Sequence, residues 1–371
     1  MLVTVGIGAT HVNGCILSCS QSVYSGKERF VRRSEPVSHL KSTRRFLDST
    51  DLLEIARCAS SVFGFGPKAR FSRFPLTENA TFAIREEGLS DTVLRIYRGQ
   101  GRPRIEIESE ITWQRALGEE IGSMISPVLV GQDGSMLVEV EQFQDGTVFF
   151  CVAYPLISGQ EPREDELQRW FPELGTITAL LHRQARTWDR PAWFTRPTWN
   201  VDTTLGDHPH WGHWSASVDD PEEREMYQRI SDVVATRLHR FGTDASRFGL
   251  VHADLRLANV LVEGESIAVL DFDDCGFSWY LYDLACALTF NEARADAGEL
   301  IAAWVAAYRE VESLSSADEH EIPTFIMLRR LLMSAYVGLR SDIDLARELA
   351  ENRFSLTTCD LGEAYLRSHA V

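Results

Sequence analysis

The tightest constraint on this chain lies between Phe248 and Asp274. Two apolar runs, Val260-Leu261-Val262 and Ile267-Ala268-Val269-Leu270, flank Glu263-Gly264-Glu265, a pattern that predicts a tight hairpin. Asp254 and Asn259 sit on the loop entering it, and Asp271 closes its second strand. Such a short hairpin folds Asn259 and Asp271 toward each other, so amide and carboxylate oxygens can converge on one hard cation. Mg²⁺ suits that donor set, because it takes oxygen ligands and keeps waters or phosphate oxygens in its shell. Asp254 stands five residues before Asn259, the spacing of an H-x-D-x-x-x-x-N loop. Phosphoryl transfer needs both parts, a metal against the phosphate charge and a carboxylate that orients the attacking hydroxyl.

Around this segment the chain divides by pattern. Asp51–Phe63 reads as an amphipathic helix, followed by strands at Ala69–Phe74, Ala80–Glu86 and Thr92–Tyr97 and a helix at Ile105–Leu117. Val128–Val130, Met136–Phe143 and Thr147–Ala153 complete an antiparallel sheet, with turns at Gln132-Asp133-Gly134 and Asp145-Gly146. Beyond Pro155 the pattern turns helical: Glu164–Gln184, Glu222–Arg240, Tyr282–Phe290, Gly298–Val311 and Ile322–Leu339. The outline is α+β and protein-kinase-like: a bilobal fold with a small, antiparallel β-rich N-lobe (49–154) and a larger, mostly helical C-lobe (155–371). Residues 1–48 carry seven Lys/Arg against three acids and no persistent period, and read as a disordered basic tail. An upstream start-codon choice and a targeting peptide are the rival readings.

Three motifs carry a family likeness. His252-Ala253-Asp254-Leu255-Arg256-Leu257-Ala258-Asn259, Leu270-Asp271-Phe272-Asp273-Asp274 and Tyr282-Asp283-Leu284-Ala285 resemble the aminoglycoside phosphotransferase and choline kinase superfamily. Within it, the chain looks most like the branch that holds homoserine kinase and the bacterial stress-response kinase. The resemblance spans roughly Ser49 to Leu366. It implies an ATP- and Mg²⁺-dependent kinase with an alcohol acceptor, in which Asp254 is the catalytic base, Asn259 and Asp271 hold the metal, and Asp283 braces the loop. Ala253 replaces the usual glycine of the motif. Arg256 stands where relatives contact the γ-phosphate; a salt bridge to a neighbouring carboxylate is the equal alternative. Asp273 and Asp274 are left between a water-mediated metal contact and turn capping.

In the N-lobe, Thr77-Glu78-Asn79-Ala80 lies where a nucleotide-covering loop belongs, with Asn79 as its candidate contact. Arg95 occupies the position of the ATP-binding lysine and Glu110 is its expected ion-pair partner, with Glu106 and Glu108 as rivals. The resemblance puts the backbone of Pro155 and Ile157 against adenine. Trp188–Trp214 holds five of the nine tryptophans together with His208, His210 and His213. It reads either as a substrate lid or amine-binding wall, or as aromatics that anchor a long loop. The H-x-H-x-x-H spacing is a weak zinc signal, since the run has no Cys to complete a four-ligand site.

A net charge of -17 argues against a nucleic-acid partner. Seven scattered cysteines, with no C-x-x-C pair, fit a reducing cytoplasm. No uninterrupted apolar run of about 18 residues suggests a membrane span. The expected partners are ATP and a small-molecule hydroxyl acceptor such as an amino alcohol, a homoserine-like metabolite or an aminoglycoside-like antibiotic, with a homodimer left open. Protein Ser/Thr phosphorylation of the stress-response type and a non-catalytic, nucleotide-binding pseudokinase are the competing functions.

Overall fold

The computed structural model describes residues 11–12, 15–17, 49–75, 79–97, 101–142, 146–340 and 343–369. The chain forms two compact units, residues 1–103 with 128–156, and residues 104–127 with 157–371. The fold is α+β. The first unit is an antiparallel sheet of β1 (His11–Val12), β2 (Cys15–Leu17), β3 (Arg70–Arg73), β4 (Ala80–Arg85), β5 (Thr92–Tyr97), β6 (Val138–Gln142) and β7 (Val148–Pro155). Their order is β1-β2-β6-β7-β5-β4-β3. Period-two alternation sends Leu94, Ile96, Val140 and Cys151 into a core shared with Ile55, Ala56 and Ala59 of α1 (Ser49–Ser61).

Two expectations change here. Val128–Val130 is not a strand: Leu129 N–H donates to Ala153 O and Val130 is exposed, so these residues only connect elements. In the segment expected to be a structureless tail, β1 and β2 are instead strands, and β2 pairs with β6 because that strand would otherwise end the sheet. The remainder of 1–48, with Thr77 and Glu78 of the expected nucleotide loop, lies outside the described residues.

The second unit holds α2 (Arg104–Ile121), α3 (Leu167–Thr187), α4 (Val201–Thr204), α5 (Pro221–Phe241), α6 (Tyr280–Ala287), α7 (Ala297–Arg309), α8 (Ser316–Glu319), α9 (Ile322–Leu339), α10 (Asp344–Glu351) and α11 (Phe354–His369). Helix α2, expected in the small lobe, groups with this unit. Its buried face explains why: Trp113 and Leu117 join the large core, and Trp113 Nε1 donates to Gln184 Oε1 of α3 at 2.9 Å. Helix α6 starts and stops earlier than its apolar run suggests, since Phe290 lies at φ +71, outside helical backbone. Among the described helices α9 is long and apolar enough to cross a membrane, with a mean hydropathy of 1.3. It is 72% buried and carries Arg329 and Arg330 at its centre, the pattern of a core helix.

Two small antiparallel ladders complete the unit: β8 (Phe248–Val251) with β11 (Gly276–Trp279), and β9 (Val260–Glu263) with β10 (Ser266–Val269). The second is the expected hairpin. Val260 faces Val269, and Gly264 turns the chain at φ +63.

Candidate active site

The hairpin decides where the polar side chains meet. Past the last pair of its ladder, Leu270 N–H donates to Asn259 O at 2.9 Å, so Asn259 and Asp271 flank its open end. Asp271 adopts φ +58, a left-handed conformation that aspartate tolerates better than most residues. Asn259 is buried, and its Nδ2 donates to Asp254 O at 2.8 Å and Asp254 Oδ2 at 2.7 Å. With the amide nitrogen spent on the loop, the Asn259 carbonyl oxygen is the atom left to offer a cation. Amide and carboxylate oxygens fit Mg²⁺. No group of three His, Cys, Asp or Glu side chains able to hold a metal occurs among the described residues. A cation here therefore needs outside ligands such as phosphate oxygens.

The loop between β8 and β9 is braced from below. Asp283 Oδ2 accepts from His252 N–H at 3.1 Å and Oδ1 from Ala253 N–H at 2.7 Å. Buried His182 supports that carboxylate with Nε2 at 3.0 Å, while its Nδ1 lies 3.0 Å from the Tyr308 hydroxyl. A carboxylate only accepts, so Nε2 carries the proton and Tyr308 donates to Nδ1. Burial lowers the His182 pKa, and Asp283 opposes that only in part, so the ring is neutral. His252 is fixed by the same logic: Nε2 donates to Leu270 O at 3.0 Å and Nδ1 accepts from Asp254 N–H at 3.3 Å.

Three donors then surround the Asp254 carboxylate. Arg329 Nη2 pairs with Oδ1, and Asn259 Nδ2 and Arg256 Nε, the latter at 3.3 Å, reach Oδ2. Burial would push the Asp254 carboxyl up. The Arg329 and Arg256 charges, His252 and the Asn259 amide outweigh it and hold the group below the usual carboxylate range. Asp254 is thus an ionised acceptor. Arg256 makes the salt bridge that its position left as one of two readings.

Sequence reading missed Arg329, which stands 75 residues downstream on α9 in a run of apolar neighbours. Arg196 was missed too. Buried, it donates to Cys275 O at 2.6 Å, to Asp273 O and to Glu106 O at 2.9 Å, fixing the backbone just past Asp271. Nothing local in either sequence context marks these residues; each acts on partners far along the chain.

The remaining candidates divide between the units. In the first, Arg95 lies on β5, an interior strand between β4 and β7, with its guanidinium 5.8 Å from the Tyr154 ring. Asn79 directly precedes β4, and Pro155 ends β7 opposite Thr92. In the second, Glu110 on α2 is buried, 3.6 Å from Arg196, and Ile157 opens the unit's long segment. The Trp/His-rich segment is largely an anchor. Phe277 N–H donates to Pro197 O, Trp199 N–H donates to Phe277 O, and Trp199 and Trp214 are buried. Trp211 differs, packing at 5.8 Å from Tyr336 and facing the Arg329 guanidinium at 5.5 Å. His210 Nε2 bonds Thr198 O and His213 Nδ1 bonds Ser215.

A model of the phosphotransferase enzyme family matches residues 71–320. Amicoumacin kinase of Bacillus subtilis (strain 168) is 25% identical over 270 residues, covering 69% of this chain and 76% of its own length. A microcompartment-associated aminopropanol kinase of solved structure is 36% identical with a TM-score of 0.78, covering 85% of this chain and 98% of that one. The amicoumacin kinase hAmiN, solved with AMP-PNP, Ca²⁺ and Ami, shares the fold at 22% identity and a TM-score of 0.67, over 85% of this chain and 94% of that one.

Proposed function

The chain belongs to the phosphotransferase enzyme family, a small-molecule kinase group, and from that premise we propose that it moves the γ-phosphate of ATP to the hydroxyl of a small amino alcohol with Mg²⁺ and Asp254 as base. The observation that carries the reading is the carboxylate of Asp254, 15% exposed and held by Asn259 beside the hairpin end that presents Asp271. The acceptor oxygen bonds to the γ-phosphorus, the bond from phosphorus to the β-bridging oxygen breaks, and the hydroxyl proton passes to Asp254. ADP and the phosphate monoester leave. Asn259 and Asp271 would hold Mg²⁺, which when bound offsets charge on the phosphates. Arg256, 28% exposed on its side chain, is free enough to exchange Asp254 for the γ-phosphate.

In the other unit, Arg95 and Asn79 are our candidates for the nucleotide phosphates and the backbone of Pro155 for adenine. The amino alcohol is favoured by the 36% identity to an aminopropanol kinase over nearly that protein's whole length. Seven scattered cysteines with no C-x-x-C pair favour a cytoplasmic site of action. The test is ADP release with Mg²⁺ and ATP against aminopropanol, an aminoglycoside and a generic protein substrate. Aminopropanol should support the highest kcat/KM; preference for the protein would sink the reading. Asp254→Asn should cut kcat by about 10²–10⁴ while leaving the circular dichroism spectrum unchanged; near-normal turnover would remove Asp254 from its role.

A further inference from the structure

The arginine that meets the proposed base is held more tightly than an ion pair requires. Arg329 Nη2 pairs with Asp254 Oδ1, Nε donates to Thr289 Oγ1 at 3.2 Å, and Nη1 donates to the Tyr282 hydroxyl at 3.1 Å and reaches Ala253 O at 3.5 Å. Its planar group lies 5.9 Å from the Tyr282 ring and 5.5 Å from that of Trp211. The side chain is 2% exposed. Three sites on different stretches of chain thus fix one guanidinium: Tyr282 in α6, Thr289 just beyond it, and Ala253 in the loop itself. Such a group cannot swing toward a bound nucleotide. Arg256, the other cation at this carboxylate, is far more exposed and sits on the loop.

The count of donors shows what the fixed group does. A carboxylate has about four lone-pair directions. Arg329, Asn259 and Arg256 take three of them. The direction that remains, together with the one Arg256 vacates on moving, is where an acceptor hydroxyl can be received. A carboxylate free to rotate would offer these directions anywhere; one clamped by a rigid fork offers them in one place. We infer that Arg329 is a positioning residue that acts through Asp254, setting the orientation in which the base meets the acceptor hydroxyl without touching substrate or nucleotide. The inference rests on the reading of Asp254 as the base.

Trp211 belongs to the segment read either as a substrate lid or amine-binding wall or as an anchor, and its ring, 5.5 Å from the Arg329 guanidinium, adds a cation–π contact to the clamp.

A double-mutant cycle separates positioning from general support. The full-length protein, Asp254→Asn, Arg329→Gln and the double variant are assayed with Mg²⁺, aminopropanol and radiolabelled ATP. Arg329→Gln should lower kcat by about 10²-fold, the usual effect of a displaced catalytic group, with KM for ATP changed by less than about threefold. In the Asp254→Asn background the same substitution should cost less than about threefold, because its target is gone. Equal losses in both backgrounds, or a raised KM for ATP with kcat intact, would overturn the inference. Should Arg329→Gln fail to fold by circular dichroism, Arg329→Lys, which keeps the charge and loses the fork, is read in the same cycle. If the wild type does not turn over aminopropanol, the acceptor reading fails alone and the cycle is read on slow ATP hydrolysis. If Asp254→Asn by itself changes nothing, the base assignment is what falls.

Discussion

Ala253 lies at φ +65, where a Cβ crowds the following carbonyl and costs about 1–2 kcal/mol. The strain is tolerated because Asp283 takes its N–H and Cys286 and Arg329 approach its carbonyl. Glycine enters this conformation freely but loosens the unfolded chain by about 0.4–1 kcal/mol. Ala253→Gly should therefore keep kcat and leave the urea midpoint equal or slightly raised. Ala253→Val, branched at Cβ, should lower both; a fully active valine variant would show that the loop does not hold this backbone. Arg95 supplies the other prediction at this scale. Because β5 is interior, Arg95 does not stand on an exposed edge where ion pairs contribute little. Charge-assisted hydrogen bonds are worth about 1.5–3 kcal/mol each, so Arg95→Ala should lower kcat/KM for ATP at least about tenfold. Arg95→Lys should fall between. An unchanged alanine variant would take Arg95 out of the nucleotide site.

At the scale of elements, α9 carries two adjacent arginines with separate tasks. Arg329 turns to the catalytic loop, whereas Arg330 is bound to Glu292 at 3.3 Å, Thr358 Oγ1 and Phe354 O, tying α9 to α11. Removing one partner of such a buried pair typically costs about 3–5 kcal/mol. Arg330→Met should thus lower the unfolding midpoint strongly while the protein that remains folded keeps its KM for ATP. Loss of turnover at full stability would merge the two roles. Helix α3 reaches the same loop through His182 and Asp283. Since burial sets the folded pKa of His182 below its ordinary value of about 6.5, its contribution is present above that pH and is lost as pH falls toward the folded value. The unfolding midpoint should drop between pH 7 and pH 5, and drop less in His182→Gln. A glutamine variant with the full drop would assign the acid sensitivity elsewhere.

For the molecule as a whole, chelation should abolish turnover and leave the melting temperature of the nucleotide-free protein unchanged, since the hairpin offers a cation only part of its shell. A fall of several degrees on adding EDTA would reveal a structural metal. Deleting residues 1–20 should lower the melting temperature by a few degrees, because β2 covers the edge of β6; an unchanged value would show that edge to be stable alone. What the sequence determined by itself was local. The Glu263-Gly264-Glu265 turn and its apolar flanks set the hairpin register, and that register alone brings Asn259 beside Asp271. Strand alternation put Arg95 on the face of β5 away from Leu94 and Ile96. Tertiary structure decided whatever depends on distant pairing. Val128–Val130, tied to β7 by the Leu129 N–H bond to Ala153 O, built no ladder and stayed irregular, Cys15–Leu17 paired with β6 and became a strand, and the buried face of α2 joined the helical unit. Arg329 reaches Asp254 only because α9 packs against α6, and no periodicity in residues 322–339 distinguishes it from Arg330. Short-range geometry is written in spacing, while the orientation of the base is set by the packing of helices far apart in the chain.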